Sequence, residues 1–207
     1  MLTKTDVVNL ALGKLGQTVS VINADTETTT YAKIARRHFT MSVTALLLKH
    51  PWSIYTKTAE LSLVSLDPSI KWQYAYSMPT DAAQIRRIAT DSYFSIEEEY
   101  ADQRIPYEAV YTTSGYDIHT VIPNAWAEYT VRPPENGPYM DHFARALAAM
   151  LAMDMAPSII TNNYIKMKDV FLKEARNEIS EQIALDISLR PEPPVSYSPF
   201  LRARWQS

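Results

Sequence analysis

Residues 46–66 read LLLKHPWSIYTKTAELSLVSL, and the chain changes character within this stretch. Before Pro51 the apolar residues recur at helical spacing, whereas between residues 56 and 66 they partly alternate with polar residues, as in a β-strand. Proline has no backbone N–H to donate and disfavours helix in the residue before it. Pro51 is therefore predicted to end a helical region and to open a strand-forming one.

Two helices are predicted before Pro51. The first covers residues 6–15, with a T-x-x-D capping box at Thr3 and Asp6 and a stop at Gly16. The second begins at Asp25 and ends near residue 50. Its predicted buried stripe contains Tyr31, Ile34, Ala35, His38, Met41, Ala45 and Leu48, widened by Phe39 and Leu46.

The region after Pro51 predicts a small antiparallel β domain of about 75 residues. Ser114-Gly115 is its best hairpin signal, and residues 78–81 predict a turn that leads into a short helical turn. The predicted strands are 56–66, 72–76, 84–90, 93–96, 107–113, 117–122 and 125–132.

Helices return at Pro138 and extend to about residue 189. Pro157 is expected to break or restart the helix. The expected apolar stripes contain Met140, Phe143, Ala144, Leu147, Met150 and Leu151 in the first helix, and Tyr164, Met167, Phe171, Ala175, Ile179 and Ile183 in the last. Residues 190–207, RPEPPVSYSPFLRARWQS, contain four prolines and no glycine, which is typical of an extended arm.

The fold class is therefore predicted to be α+β, with an extended C-terminal arm. A helical bundle is built from residues 1–52 and 138–189, and residues 53–137 form an inserted antiparallel β domain. Residues 190–207 are the C-terminal arm. Neither helical half alone offers enough apolar faces to form a core, which favours one discontinuous helical domain.

Composition excludes several classes of protein. The 207 residues include no cysteine, which excludes disulfide scaffolds, thiol catalysis, thiolate zinc sites and iron–sulfur clusters. The formal net charge of −3 is unusual for a dedicated nucleic-acid binder. The longest apolar stretch, around residues 144–153, is shorter than the ~20 residues that span a bilayer, and no secretory signal is evident. A soluble protein made in a cytoplasm is expected.

No catalytic, cofactor or metal motif stands out, and none of these sites is predicted. A solvated loop is the interpretation of the three adjacent carboxylates Glu97, Glu98 and Glu99, because three adjacent acids cannot all face one site. Asp141 and His142 are adjacent on a helix and should diverge. His38 is interpreted as a hydrogen-bonded core histidine. Asp154 is interpreted as a polar contact at a helix end or between subunits. The basic pairs Arg36-Arg37 and Arg86-Arg87 favour local salt bridges over nucleic-acid binding, because acidic residues are interleaved with them.

Residues 8–61 resemble the opening of the tail tubular protein A family of short-tailed bacteriophages. The matching features are a helix ending Lys14-Leu15-Gly16, a turn with Asp25, a helix with Tyr31-Ala32 and Arg36-Arg37, and Pro51-Trp52. Residues 72–87, WQYAYSMPTDAAQIRR, are similar to the family's aromatic strand, Met-Pro turn and arginine-bearing strand. The resemblance covers about residues 7–189 and depends on the order of these elements.

The resemblance implies a virion protein at the head–tail junction. Members of the family form a ring of twelve subunits between the portal protein and the tail nozzle, a tail tubular protein B-like protein, and DNA passes through the bore. Tail fibres are a further possible partner, and neither a membrane nor a cofactor is expected. The chain's 13 tyrosines agree with obligate assembly, since tyrosine is enriched at interfaces.

The arm is the predicted partner-binding segment, docking on a neighbouring subunit or on the portal. Its expected anchors are Tyr197, Phe200 and Trp205, with Arg202 and Arg204 as charged contacts. Folding of the arm onto its own β domain is the alternative. Two other functions stay open: a virion-associated polysaccharide hydrolase with acids among residues 97–99, and a helical scaffolding protein with no virion role.

Overall fold

The computed structural model describes residues 1–90, 105–113, 115–160 and 164–190, with the backbone alone over 164–168. The protein is α+β, as predicted. Its helices are α1 (Lys4–Lys14), α2 (Thr30–Lys49), α3 (Asp141–Ile159) and α4 (Tyr164–Ser188), with a 3₁₀ turn at Ser53–Tyr55. Its strands are β1 (Thr56–Glu60), β2 (Leu63–Ser69), β3 (Trp72–Ser77), β4 (Ala82–Ala89), β5 (Tyr107–Thr112), β6 (Gly115–Thr120) and β7 (Trp126–Val131).

The chain divides into two compact units, each made of separate stretches of sequence. The helical unit comprises residues 1–57, 81–84 and 130–189 and contains the four helices of the described residues. The strand unit includes residues 58–80 and the described part of 85–129. The strand unit contains the sheet of order β2-β3-β6-β5, in which each neighbouring pair is antiparallel. A second sheet has the order β1-β7-β4.

The core of the helical unit is centred on α3, which contacts α1, α2 and α4. Its alanines keep the helix narrow enough for three neighbours to approach, while its larger apolar side chains fill the spaces between them. The buried residues of α3 are His142, Phe143, Ala144, Ala146, Leu147, Ala148, Ala149, Met150, Leu151, Ala152, Met155 and Ala156. A helix that is buried around most of its circumference is the interior of its unit.

The start of α1 was predicted correctly and the start of α2 was not. The Thr3 side chain accepts from the Asp6 N–H, and the Asp6 carboxylate accepts from the Thr3 N–H, which completes the capping box. In contrast, α2 begins at Thr30, with the Thr29 hydroxyl as its cap. Asp25 instead lies in a turn before the helix, where its carboxylate binds the Lys4 ammonium group.

The buried face of α2 differs from the predicted stripe. Met41 is 74% exposed and Leu48 is 50% exposed, and His38 is half-buried rather than in the core. The residues that are buried are Ala32, Ala35, Phe39, Ser42, Leu46 and Leu47. This helix carries apolar residues on two sides, and periodicity alone does not say which side meets the neighbouring helix.

The predicted strand 56–66 is two strands. The partial alternation over residues 56–66 concealed a break at Leu61 and Ser62, between β1 and β2. The two strands belong to different sheets, which is a tertiary property with no local signal.

Three other local predictions can be compared with the structure. The hairpin is confirmed, because β5 and β6 pair down to Thr112 opposite Gly115, whose φ of 132° is easy only for glycine. The helical turn expected after residue 81 is wrong, since β4 begins at Ala82. Pro157 lies inside α3, which continues to Ile159, so the proline acts near the helix end rather than breaking it early. The strand predicted at 93–96 lies outside the described residues.

Candidate functional site

The most distinctive polar feature of the helical unit is a buried carboxylate near the end of α4. Asp186 is completely buried. It continues the spacing of Ile179 and Ile183, so it lies on the stripe of α4 that packs into the core. A buried carboxylate costs several kcal/mol unless hydrogen-bond donors surround it.

Donors from the chain segment after α2 surround this carboxylate. The Ser53 backbone N–H lies 3.1 Å from Oδ2, and the Ser53 hydroxyl donates to Oδ1 at 2.6 Å. Nε2 of His50 lies 2.9 Å from Oδ2. Because an ionised carboxylate can only accept, this His50 nitrogen is the donor.

A second histidine faces the same carboxylate from the start of α3. Nε2 of His142 lies 3.3 Å from Oδ1 of Asp186, which is ion-pair distance. The same nitrogen is buried and makes no well-oriented hydrogen bond with the described residues. The contact is therefore close but poorly aligned, and we assign the stronger interaction to His50.

Trp52 fills the space between the two histidines. Its ring is completely buried and lies edge-on to His50, with 5.2 Å between ring centroids, and 5.9 Å from His142. It also meets Phe143 edge-on at 5.1 Å, and its indole N–H donates to the Leu46 carbonyl at 3.1 Å. Pro51 ends α2 immediately before this tryptophan. The sequence thereby brings the rings of His50 and Trp52, together with Ser53, to one place.

His50, Trp52, Ser53, His142 and Asp186 together form what we call the Asp186 anchor. It joins the end of α2, the start of α3 and the end of α4. The Ser53 hydroxyl donates to the carboxylate and not to a histidine nitrogen, which is not the geometry of a histidine-activated serine nucleophile. Within the described ranges, no group of three His, Asp or Glu side chains could hold a metal ion.

The sequence correctly separated His142 from Asp141 but did not identify the carboxylate that His142 faces. Asp141 and His142 diverge, as expected: Asp141 pairs with the Met1 ammonium group at 2.9 Å, and this hydrogen bond lowers its pKa. The carboxylate that His142 faces, Asp186, was not identified. The signal that could have found it is a charged residue at an apolar position of the α4 stripe.

Two more polar contacts tie the helical unit together. Asp154 accepts from the Ser42 hydroxyl at 2.6 Å, which links α3 to α2, so this aspartate has a partner within its own chain. The ammonium group of the buried Lys4 pairs with Asp25 and lies 5.1 Å from the centre of the Phe39 ring. These contacts fix the packing of helices whose core residues alone are mostly alanine and leucine.

The paired arginines differ in their partners. Arg87 forms the predicted local salt bridge, with two nitrogens 3.0–3.1 Å from the Glu128 carboxylate. Arg36 instead donates to two backbone carbonyls, those of Ala24 and Glu27, both at 2.8 Å. Burial lowers the pKa of Arg86. Arg37 is exposed.

The predicted partner-binding residues Tyr197, Phe200, Arg202, Arg204 and Trp205 lie outside the described residues, as do the carboxylates at 97–99. What is described is the start of the arm: α4 ends at Ser188, and Arg190 is exposed. The Asp186 anchor therefore fixes the end of the helix from which the arm departs.

A scan of the chain against models of known protein families gives no match, and a search of curated proteins gives none either. None of the described helices combines the length and the apolar character needed to cross a membrane.

Proposed function

We propose that the protein is a structural virion protein, a head-to-tail adaptor that forms a ring between the portal and the tail nozzle of a short-tailed bacteriophage. The observation that carries the proposal is the Asp186 anchor, four residues before the arm begins at Arg190. The resemblance of the sequence to the tail tubular protein A family supplies the biological setting.

The anchor supports this role because it fixes the starting point of a binding arm. Its carboxylate is held from α2 and faces α3, so the end of α4 cannot move without breaking buried hydrogen bonds. A binding segment that starts from a fixed position loses less freedom when it docks. In this proposal the arm binds the portal or a neighbouring subunit through Tyr197, Phe200 and Trp205, with Arg202 and Arg204 as its charged contacts.

The test measures binding of the full chain to portal rings from the same phage. The arm variant replaces Tyr197, Phe200 and Trp205 by alanine, and we expect it to lose most of the affinity, because buried aromatic anchors carry about 2 kcal/mol or more each. The matched control replaces Tyr111 and Tyr116, which are 75% and 54% exposed in the strand unit. The control should bind like the unaltered chain.

Thermal melting separates docking from folding. If the arm variant melts like the unaltered chain but does not bind portal, the arm is a docking segment. If it melts at a lower temperature and binds portal normally, the arm belongs to the fold of its own chain and the proposed docking is wrong. Absence of the protein from purified particles would overturn the adaptor role itself.

A further inference from the structure

Helix α2 exposes a stripe that is both basic and apolar. We call Lys33, Arg37, Met41, Thr44 and Leu48 the α2 stripe. All five side chains are exposed, and they lie opposite the buried face of the helix. The helix contains no acidic residue at all, although the chain as a whole carries a net charge of −3. A charged surface that also carries large exposed apolar side chains is typical of a protein interface.

Helix α4 exposes a stripe of the opposite charge. We call Val170, Glu174, Glu178, Glu181 and Leu185 the α4 stripe. Val170 is 52% exposed and Leu185 is 44% exposed, so apolar side chains lie at both ends of a row of three carboxylates. Glu178 is half-buried and pairs with Lys14 at 3.3 Å, whereas Glu174 and Glu181 are exposed.

The two stripes match in spacing as well as in charge. Successive members are separated by 4, 4, 3 and 4 residues in both helices. On an α-helix this spacing forms one straight row along the surface. Two rows of equal length, one basic and one acidic, each with apolar residues, can pack along their whole length.

Apart from Glu178, the charged side chains of both stripes are available for an external partner. Within the described part of the chain, Lys33, Arg37, Glu174 and Glu181 form no ion pair. Both stripes are exposed on the same unit, and both helices pack on α3 through other faces. A contact between the stripes must therefore come from two copies of the chain.

We propose that the α2 stripe of one copy binds the α4 stripe of the next. Such a contact joins two different surfaces, so it is head-to-tail, and repeated head-to-tail contacts close into a ring or continue as a filament. The inference rests on the proposed function in one respect only: an adaptor ring needs a contact of this kind. The occupant of each stripe is a second copy of this chain.

Charge reversal tests the contact without presupposing the direction of the helices. The α2-reversed variant carries Lys33→Glu and Arg37→Glu, and the α4-reversed variant carries Glu174→Lys and Glu181→Lys. Each variant alone juxtaposes like charges, which should weaken self-association at least about tenfold. A mixture of the two variants places opposite charges at every contact, so self-association should return. Sedimentation velocity at low and high salt measures this, because salt screens exposed charges.

Cysteine cross-linking detects the contact even if the equilibrium favours monomers. The chain has no cysteine, so introduced thiols are the only ones present. A mixture of Arg37→Cys chains with Glu181→Cys chains, if the helices are antiparallel, or with Glu174→Cys chains, if they are parallel, should give covalent dimers on mild oxidation. The control replaces Glu181→Cys by Arg176→Cys, an exposed position of α4 off the stripe, and should give at least about fivefold less dimer over the same time.

The results decide the proposal in either direction. Cross-linking at 174 and at 181 that does not exceed cross-linking at 176 overturns it, and so do reversal variants that are not rescued by mixing. A chain truncated after residue 190 should still cross-link, and loss of the cross-link there would assign a stripe to the C-terminal arm instead. If the chain binds portal but the stripes do not contact each other, the adaptor role stands and this inference is wrong. If the stripes contact each other but the chain is absent from particles, this inference stands and the adaptor role is wrong.

Discussion

Helix α3 and strand β2 carry similar apolar side chains and use them in opposite ways. Twelve residues of α3 are buried, whereas Leu63, Val64 and Leu66 of β2 are more than half exposed. The helix has neighbours on three sides, whereas β2, among the strands that the structure describes, lies at a sheet edge with β3 as its one partner. Apolar content alone therefore does not identify the interior; the number of neighbouring elements does.

The same contrast separates interior polar groups from surface ones. In the helical unit, Asp186 is buried and held by donors from distant parts of the chain. In the strand unit, the carboxylate of Glu108 is held by the Trp72 N–H at 2.9 Å and by Lys71 at 3.4 Å, which lowers its pKa, but it lies at the surface. The first kind of contact should matter for stability and the second should matter little.

The largest effect is expected at the Asp186 anchor. Asp186→Ala leaves His50 and Ser53 without their buried acceptor, and we expect it to lower the free energy of unfolding by about 3–5 kcal/mol. Urea unfolding measures this. Asp169→Ala, at an exposed position of the same helix, should change stability by less than about 0.5 kcal/mol. If Asp186→Ala does not fold, Asp186→Asn removes the negative charge of the carboxylate while keeping the shape of the side chain.

A matched pair of leucines tests the contrast between α3 and β2 directly. Leu147 is completely buried and Leu66 is 63% exposed. Leu147→Ala should cost about 2–5 kcal/mol through lost burial and a cavity, whereas Leu66→Ala should cost less than about 0.5 kcal/mol. Equal losses in chemical denaturation would mean that β2 is as much an interior element as α3.

A smaller effect with a defined pH dependence is expected at Tyr139. Its hydroxyl donates to the Pro134 and Glu135 carbonyls at 3.1 and 2.6 Å, and burial raises its pKa to about 12. Because the folded pKa lies above the ordinary value of about 10, its contribution is complete below pH 10 and is lost as the pH rises towards 12. Tyr139→Phe should cost about 1 kcal/mol at neutral pH and should reduce the loss of stability between pH 10 and 12.

The smallest predicted change concerns the cap of α1. Thr3→Ala removes half of the capping box and should cost about 1 kcal/mol. The Thr3 N–H and then the Thr3 hydroxyl lower the pKa of Asp6, so its contribution is present above pH 3.8 and is lost as the pH falls through the lower folded value. Acid titration of the unfolding transition should show a weaker dependence below pH 4 in the variant. An unchanged acid profile would mean that the Thr3 hydroxyl does not contribute to lowering the pKa of Asp6.

Two local features of the fold, one at a helix start and one in a hairpin, could be predicted from sequence, and the long-range ones could not. The capping box and the hairpin at Gly115 depend on residues a few positions apart, and both were predicted correctly. The split between β1 and β2 depends on which sheet each strand joins. His50 and Asp186 are 136 positions apart, so no spacing rule connects them.

Helix α2 shows most clearly what the sequence alone does not determine. Its sequence offers two apolar sides, and the predicted stripe included Met41 and Leu48, which are exposed. The side that packs on α3 is the one with Ala32 and Ala35, whose small side chains allow close approach. The other side became the α2 stripe. The arm residues of the candidate site, 197–205, stay a prediction.

Electron microscopy of the full chain mixed with portal rings from the same phage tests the central claim most directly. We predict a closed ring of this protein stacked on the portal, with neighbouring subunits in head-to-tail contact and the arm at the portal or the adjacent subunit. Portal rings that carry no added ring, together with absence of the chain from purified particles, would contradict the adaptor role.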